Sequence, residues 1–106
     1  MANKLSNAQA EVLERAKKDI DEARSMNFYD WMRNRALYRD YTDDEIDDIR
    51  LVEWYRECYE QNKSGIAHTH CNGKTIEKLQ KLGLIEILYN GTNKTQCFDR
   101  IKVLNY

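Results

Sequence analysis

Residues 72–106 read NGKTIEKLQKLGLIEILYNGTNKTQCFDRIKVLNY and carry the clearest structural pattern in the chain. Asn72 is a suitable N-cap residue, apolar residues then recur at helical spacing, and Gly83 stands where helices often end in the left-handed conformation. Residues 84–89 form an apolar run that is typical of a strand, and Asn90-Gly91 after it favours a hairpin turn. We therefore predict a helix and a strand, followed by a turn and a return strand over residues 96–104.

The order of these predicted elements resembles the recognition helix and wing of winged-helix proteins. The pattern T-x-x-x-L-x-x-x-G-L-I at residues 75–85 carries most of the resemblance. It implies a mainly α fold of the α+β class, in which a helical body precedes a C-terminal winged-helix-like recognition helix and a two-stranded β-hairpin. One segment departs from the family, because residues 66–71 leave room only for an extended piece or one helical turn. Winged-helix proteins normally hold a short strand and a helix there.

The predicted recognition helix has two distinct faces. A rotation of about 100° per residue places one set of side chains on an inward arc: Thr75, Ile76, Leu79 and Leu82. Lys74, Lys78 and Lys81 share the opposite face. The helix is therefore expected to pack on one side and to present three positive charges on the other.

A lysine face of this kind can serve a helix that enters the major groove of DNA. Lysine contacts phosphates well but reads bases less well than Arg, Asn or Gln. We therefore expect affinity for DNA ahead of specificity for a base sequence. The alternative is a solvated helix face on a protein-binding winged helix. The residues predicted to contact nucleic acid lie on this helix and along the wing: Lys74, Thr75, Lys78, Lys81, Asn90, Lys94 and Arg100.

Charge is distributed unevenly along a chain whose length of 106 residues suggests one domain. The net charge is only −1, yet residues 63–106 hold seven basic and three acidic side chains, against ten and fifteen in residues 1–62. A basic C-terminal segment on an acidic body suits a polyanion-binding element. The alternative is ordinary scatter in a charged small protein. We predict a single domain, 1–106, with an acidic helical body and a basic winged-helix-like segment.

Two capping boxes predict helix starts in the acidic body. Ser6-Asn7-Ala8-Gln9 predicts a helix that reaches Arg24 or Ser25, and Thr42-Asp43-Asp44-Glu45 predicts one that continues to about Gln61. Between them we predict a short helix over residues 27–38. The first helix has an apolar stripe at helical spacing: Val12, Leu13, Ala16, Ile20 and Ala23.

Aromatic residues are dense in the helices predicted over residues 27–38 and 42–61. In the first they alternate with arginines, a pattern that can bind single-stranded nucleic acid but more often packs its rings into a core. We favour the core. The apolar face of the second is too wide for a simple surface helix. This helix is either the central core helix, which we favour, or one that also forms a dimer or partner interface.

His68, His70 and Cys71 resemble part of a metal site, with Cys58 or Cys97 available as a fourth ligand. Structural zinc sites usually show two spaced pairs of ligands, whereas this sequence has one cluster. We favour hydrogen-bonded histidines beside a buried cysteine and expect no metal and no cofactor. The sequence also lacks a GxSxG elbow and a glycine-rich phosphate loop, so we predict a protein without enzymatic activity.

The cysteine count and the hydropathy pattern indicate a cellular compartment. The three cysteines are an odd number without CxxC spacing, and the sequence opens without a signal peptide. No apolar run approaches the roughly 18–20 residues that span a bilayer. We therefore expect a cytoplasmic protein with reduced thiols and no membrane contact.

Much of the chain also resembles small intracellular proteins encoded by phages and prophages of low-GC Gram-positive bacteria. LSNAQAEVLERAKKDIDEARS at residues 5–25, HTHCNGKTIEKLQKLGLIEI at 68–87 and DRIKVLNY at 99–106 carry this resemblance. It supplies no catalytic residues, and it implies a DNA-binding regulator or an inhibitor or adaptor of a host or phage protein. Our leading interpretation is a non-catalytic, dimeric protein that binds duplex DNA. The alternative is a protein-interaction module that uses the acidic, aromatic-rich region 28–59.

Overall fold

The computed structural model describes residues 5–70, 73–91 and 98–106. The described chain is mostly helical (57%), with three strands in a small antiparallel sheet, so the predicted α+β class is confirmed. In chain order the elements are α1 (Asn7–Ser25), α2 (Phe28–Arg33), a 3-10 helix (Ala36–Tyr38), α3 (Asp43–Asp47), α4 (Val52–Lys63), β1 (Ile66–Thr69), α5 (Gly73–Lys81), β2 (Ile85–Asn90) and β3 (Asp99–Val103).

Helix α1 begins and ends where its sequence predicts. The Ser6 hydroxyl accepts a hydrogen bond from the Gln9 backbone N–H (3.1 Å), and the Gln9 side chain accepts one from the Ser6 N–H (3.0 Å). These reciprocal bonds satisfy two donors that a helix start leaves unpaired. The predicted apolar stripe is buried in full: Val12, Leu13, Ala16, Ile20 and Ala23.

Two hydrophobic clusters pack along the length of α1. The first joins the part of α1 up to Ile20 with the sheet and α5, through residues such as Ile76 and Ile101. The second joins Ala23, near the end of α1, with α2, α3 and α4. One long helix therefore fixes the position of the sheet and α5 relative to the remaining helices.

The single helix predicted over residues 42–61 is wrong, because the chain breaks between α3 and α4. Its capping box is present, with the Glu45 N–H donating to the Thr42 hydroxyl at 3.2 Å. The Ile49 N–H then donates to the Ile46 carbonyl (3.1 Å) and the Val52 N–H to the Ile49 carbonyl (3.0 Å), in tight turns. The break redirects the chain so that apolar residues on its two sides face different surroundings.

Burial in α3 and α4 shows what the break achieves. Ile46 on α3 is fully buried, and Cys58 and Tyr59 on α4 are nearly so, whereas Leu51 and Trp54 are 55% and 54% exposed. A straight helix with such a wide apolar face would leave still more of it in water, since only one side of a helix can meet a core. Part of the predicted wide face is core, and part lies at the surface.

The helix predicted over residues 27–38 is also interrupted. Helix α2 ends at Arg33, and Arg35 takes an extended backbone conformation before the 3-10 helix. The Arg33 guanidinium closes this bend by donating to the Asp43 carboxylate (2.7 Å) and to the Tyr41 carbonyl (3.2 Å). The predicted inward packing of the aromatic residues is confirmed for Phe28 and Trp31, which are 8% and 3% exposed.

The predicted two-stranded hairpin is in fact part of a three-stranded sheet with the order β1-β3-β2. Strand β1 pairs with β3 along its whole length, from Ile66 opposite Lys102 to Thr69 opposite Asp99. An isolated hairpin is marginal in water, and a third strand provides the missing partner for one edge. The extended piece expected before α5 is therefore a strand.

The end of α5 follows the glycine signal closely. Gly83 has a φ of +77°, its N–H donates to the Gln80 carbonyl (2.9 Å), and the Leu84 N–H donates to the Leu79 carbonyl (3.2 Å). These two bonds form the motif that commonly ends a helix at glycine. Strand β2 starts immediately afterwards at Ile85.

The connection between β2 and β3 is longer than a tight turn, since Asn90 pairs with Asp99. The return strand predicted over residues 96–104 is observed as Asp99–Val103. Its predicted start at Gln96 lies outside the described residues, as do the N-cap at Asn72 and the wing residue Lys94.

Candidate nucleic-acid interface

The lysine face predicted from the sequence lies on α5. Lys74, Lys78 and Lys81 are exposed, while Ile76 and Leu79 on the other side of the helix are fully buried against the sheet and α1. Packing of the two apolar side chains fixes the orientation of the helix. The three ammonium groups therefore share a solvent-facing surface.

The other two residues of the predicted inward arc, Thr75 and Leu82, differ in burial. Thr75 is partly buried, whereas Leu82 is 39% exposed, so its inward assignment is wrong. Leu82 follows the last residue of α5 and begins the turn that Gly83 completes. The regular helical rotation that predicts an inward position for Leu82 therefore does not apply to it.

The three lysines of the lysine face make no ion pair with the neighbouring Glu77 in the described structure. Within residues 5–70, 73–91 and 98–106, none of its three lysines forms an ion pair. Lys78 and Lys81 lie in the last turn of α5, where positive charge also stabilises a helix. Lys74 is the second residue of α5, where the helix dipole disfavours positive charge. Helix stability therefore explains two of the lysines but not the third.

Two side chains connect α5 to β2 beside this face. The Gln80 amide oxygen accepts a hydrogen bond from the Ile87 N–H at 2.7 Å, and the Asn90 amide nitrogen donates to the Glu77 carboxylate at 3.5 Å. Asn90 thus lies next to α5, as its prediction as a binding residue requires. Gln80 was not predicted, because the bond depends on the irregular pairing of β2 after Ile87, which periodicity does not reveal.

Arg100 does not lie with the lysines. Ile101 and Val103 of β3 are buried on the sheet face that α5 covers, so strand alternation places Arg100 on the other face. There it pairs in register with His68 and Tyr89. We call this side, defined by His68, Tyr89, Phe98 and Arg100, the outer sheet face. The alternation of residues 99–103 is a signal in the sequence that separates Arg100 from α5.

A groove of about 430 Å³ lies between the outer sheet face and the helical body. Helices α1, α2 and α4 supply one wall, and the other comes from β1, β3 and the residues next to them. We call it the aromatic groove. Its lining residues are Asp19, Glu22, Trp31, Arg35, Trp54, Cys58, Asn62, His68, His70, Phe98 and Arg100.

The histidines predicted as hydrogen-bonded residues both line this groove. His68 is half-buried, and burial, then Arg100, then His70 lower its pKa from the ordinary value of 6.5. Burial disfavours the charged form of the Cys58 thiol as well and so raises its pKa, although Arg35 and Arg100 act in the opposite direction. Among the described residues, no three His, Cys, Asp or Glu side chains are placed to hold a metal ion. Cys71 and Cys97 lie outside those residues.

A row of aromatic rings runs over the surface of the helical body. The rings of Tyr41 and Tyr38 are 5.3 Å apart, those of Tyr38 and Tyr55 5.9 Å, and those of Tyr55 and Trp54 5.1 Å. We call these four residues the aromatic row. Leu37, which precedes Tyr38, and Leu51, three residues before Trp54, are 72% and 55% exposed. The described residues therefore include apolar side chains that the protein's own core does not cover.

Neither α1 nor any other helix in the described part of the chain has the length and apolar character needed to cross a lipid bilayer. Comparison of the chain with models of protein families, with curated proteins and with solved structures gave no match.

Proposed function

We propose that this protein binds duplex DNA without catalysis, through the lysine face of α5. The observation that carries the proposal is the exposure of Lys74, Lys78 and Lys81 on one side of a helix whose other side is locked into the core. The unfavourable position of Lys74 at the start of the helix supports a binding role, because residues that break a local rule often serve function. Under this proposal the protein is a cytoplasmic regulator of phage or prophage origin.

The interaction would depend on phosphate contacts more than on base reading. Lysine ammonium groups neutralise phosphates and release counterions, which makes binding strongly salt-dependent. The face has no Arg, Asn or Gln at its centre for bidentate base contacts. A nine-residue helix also covers little DNA, so we propose that two copies bind together. Thr75 and Asn90 would add contacts at the edges of this surface, and Lys94 is proposed as a contact from the sequence alone.

Charge reversal of the lysine face tests the site. Changing Lys74, Lys78 and Lys81 to Glu should abolish binding in a fluorescence anisotropy titration with labelled random-sequence duplex DNA. A matched control changes three exposed cations of the helical body to Glu: Lys18, Arg39 and Arg50. Both variants lose the same net charge. If the control weakens binding as much as the α5 variant, the interaction reflects overall charge and the site is wrong.

A second candidate function is protein recognition through the helical body. The aromatic row and the exposed Leu37 and Leu51 favour it, because contiguous apolar side chains in water often mark an interaction surface. The partner would be a host or phage protein or a second copy of the chain. Changing Leu37 and Leu51 to Glu should then release a captured partner or convert a dimer to a monomer, as measured by sedimentation.

A further inference from the structure

The aromatic groove contains an unsatisfied hydrogen-bond donor. Among the residues described, the Nε atom of Arg100 is buried and has no hydrogen-bond partner. A buried donor without an acceptor costs free energy, and the cost is greater when the group is charged. The Nε atom itself is closed off from solvent, whereas the Arg100 side chain as a whole is only partly buried and lines the groove. An acceptor supplied by a bound molecule would remove this cost.

Flat rings line the groove together with Arg100. Trp54 is 54% exposed, and the Phe98 ring lies 6.2 Å from the His68 ring and 5.1 Å from the Tyr89 ring. Trp31, on the same helical wall as Trp54, is already covered by the Arg35 guanidinium at 4.2 Å. Trp54 makes an edge contact with Tyr55 and keeps exposed surface on which a planar group in the groove can stack.

The carboxylates in the groove restrict the type of anion that it can hold. Asp19 and Glu22 come from α1, and Arg35 is close enough to Asp19 to lower its pKa against the larger effect of burial. The effect of Arg100 instead falls on His68 and Cys58. Arg35 thus partly offsets the Asp19 carboxylate, and Glu57 acts against Arg100 on both His68 and Cys58. With the Asp19 and Glu22 carboxylates in the same lining, the groove suits a compact anion at Arg100 better than a continuous phosphate backbone.

We propose that the aromatic groove binds a small molecule that carries a planar aromatic ring and one anionic group, a carboxylate or a phosphate. The anion accepts a hydrogen bond from Arg100, and the ring stacks against Trp54. A volume of about 430 Å³ is within the range of small-molecule sites and suits a ligand of mononucleotide size or smaller. This inference is independent of DNA binding, because the groove lies on the sheet face opposite the one that α5 covers.

Intrinsic fluorescence offers a direct measurement, because both tryptophans of the chain line the groove. Adenosine 5′-monophosphate and benzoate are the anionic probes, and adenosine and benzamide are their neutral counterparts. We expect saturable quenching by at least one anionic probe and much weaker binding of its neutral counterpart. Tighter binding of adenosine 5′-monophosphate than of benzoate identifies a phosphate ligand, and the reverse order identifies a carboxylate ligand.

Two variants locate the site by isothermal titration calorimetry. Arg100→Gln should weaken binding of the anionic probe by about tenfold or more, the expected effect of losing a charged hydrogen bond. Trp54→Ala removes an exposed ring and should weaken binding while leaving the fold intact, and Arg50→Ala, at an exposed position outside the groove, should leave the affinity unchanged. No saturable binding of either anion at millimolar concentration would overturn the proposal. Equal binding of charged and neutral probes, or wild-type affinity in a folded Trp54→Ala variant, would also overturn it.

Discussion

At the scale of single residues, His68 shows how the outer sheet face favours an uncharged imidazole. Its pKa is lowered first by burial and then by the positive charges of Arg100 and His70, while Glu57 acts in the opposite direction. The unfolded chain therefore takes up this proton at a higher pH than the folded protein does. Stability from His68 is complete above the unfolded-state pKa of 6.5 and is lost as the pH falls through the folded-state pKa.

The His68→Gln variant separates this contribution from other titrating groups. We expect the free energy of unfolding of the wild type to decrease more than that of the variant between about pH 7.5 and pH 5. Asp19, whose pKa is raised by burial, is present in both proteins and cancels from the comparison. Urea unfolding at each pH provides the measurement. Parallel pH profiles would show that His68 is not responsible.

Residue-level signals in the sequence were reliable where the interaction is local. The capping boxes at Ser6 and Thr42 and the left-handed Gly83 all involve residues within a few positions of each other, and all three are observed. Arg100 alternates with the apolar Ile101 and Val103 neighbours of its strand, which is also a local signal, and the prediction that groups Arg100 with the lysines does not use it. The groove itself depends on how the outer sheet face meets the helical body, which is a property of the assembled molecule.

At the scale of elements, a side chain of α5 accepts a hydrogen bond from a backbone N–H of β2. The Gln80 amide oxygen accepts from the Ile87 N–H at 2.7 Å, beside the irregularity in the pairing of β2 with β3. Removing the acceptor in Gln80→Ala should lower the free energy of unfolding by about 1 kcal/mol. Gln80→Glu keeps an acceptor oxygen and should lose less, as measured by urea unfolding. Equal losses would show that this hydrogen bond contributes nothing.

Helix lengths were the least predictable feature of the elements. Hydrophobic spacing over residues 42–61 is continuous, yet the chain bends between α3 and α4 so that Ile46 is buried and Leu51 is exposed. The bend after α2 depends on the contact of Arg33 with Asp43, ten residues away. Likewise, β1 becomes a strand by pairing with β3, more than thirty residues later. Tertiary contacts of this kind leave no periodic pattern in the sequence.

At the scale of the whole molecule, the sheet separates two proposed surfaces. Its inner face packs on α1 and α5, which presents the lysine face, and its outer face borders the aromatic groove. Both hydrophobic clusters lie along α1, so the two surfaces belong to one continuously packed structure. The proposed DNA and ligand contacts use different residues, and variants of one surface should not alter binding at the other.

The salt dependence of DNA binding tests the central claim most directly. Each phosphate contacted lowers the slope of log K against log salt by about 0.9, so three lysines predict a slope of about −2.7 per copy bound. Fluorescence anisotropy of wild-type protein with labelled random duplex DNA, repeated at increasing salt, measures this slope. Tight binding at low salt that weakens with at least this slope is the predicted result. No binding at micromolar protein in low salt, or binding that salt leaves unchanged, would contradict the account and favour protein recognition by the helical body.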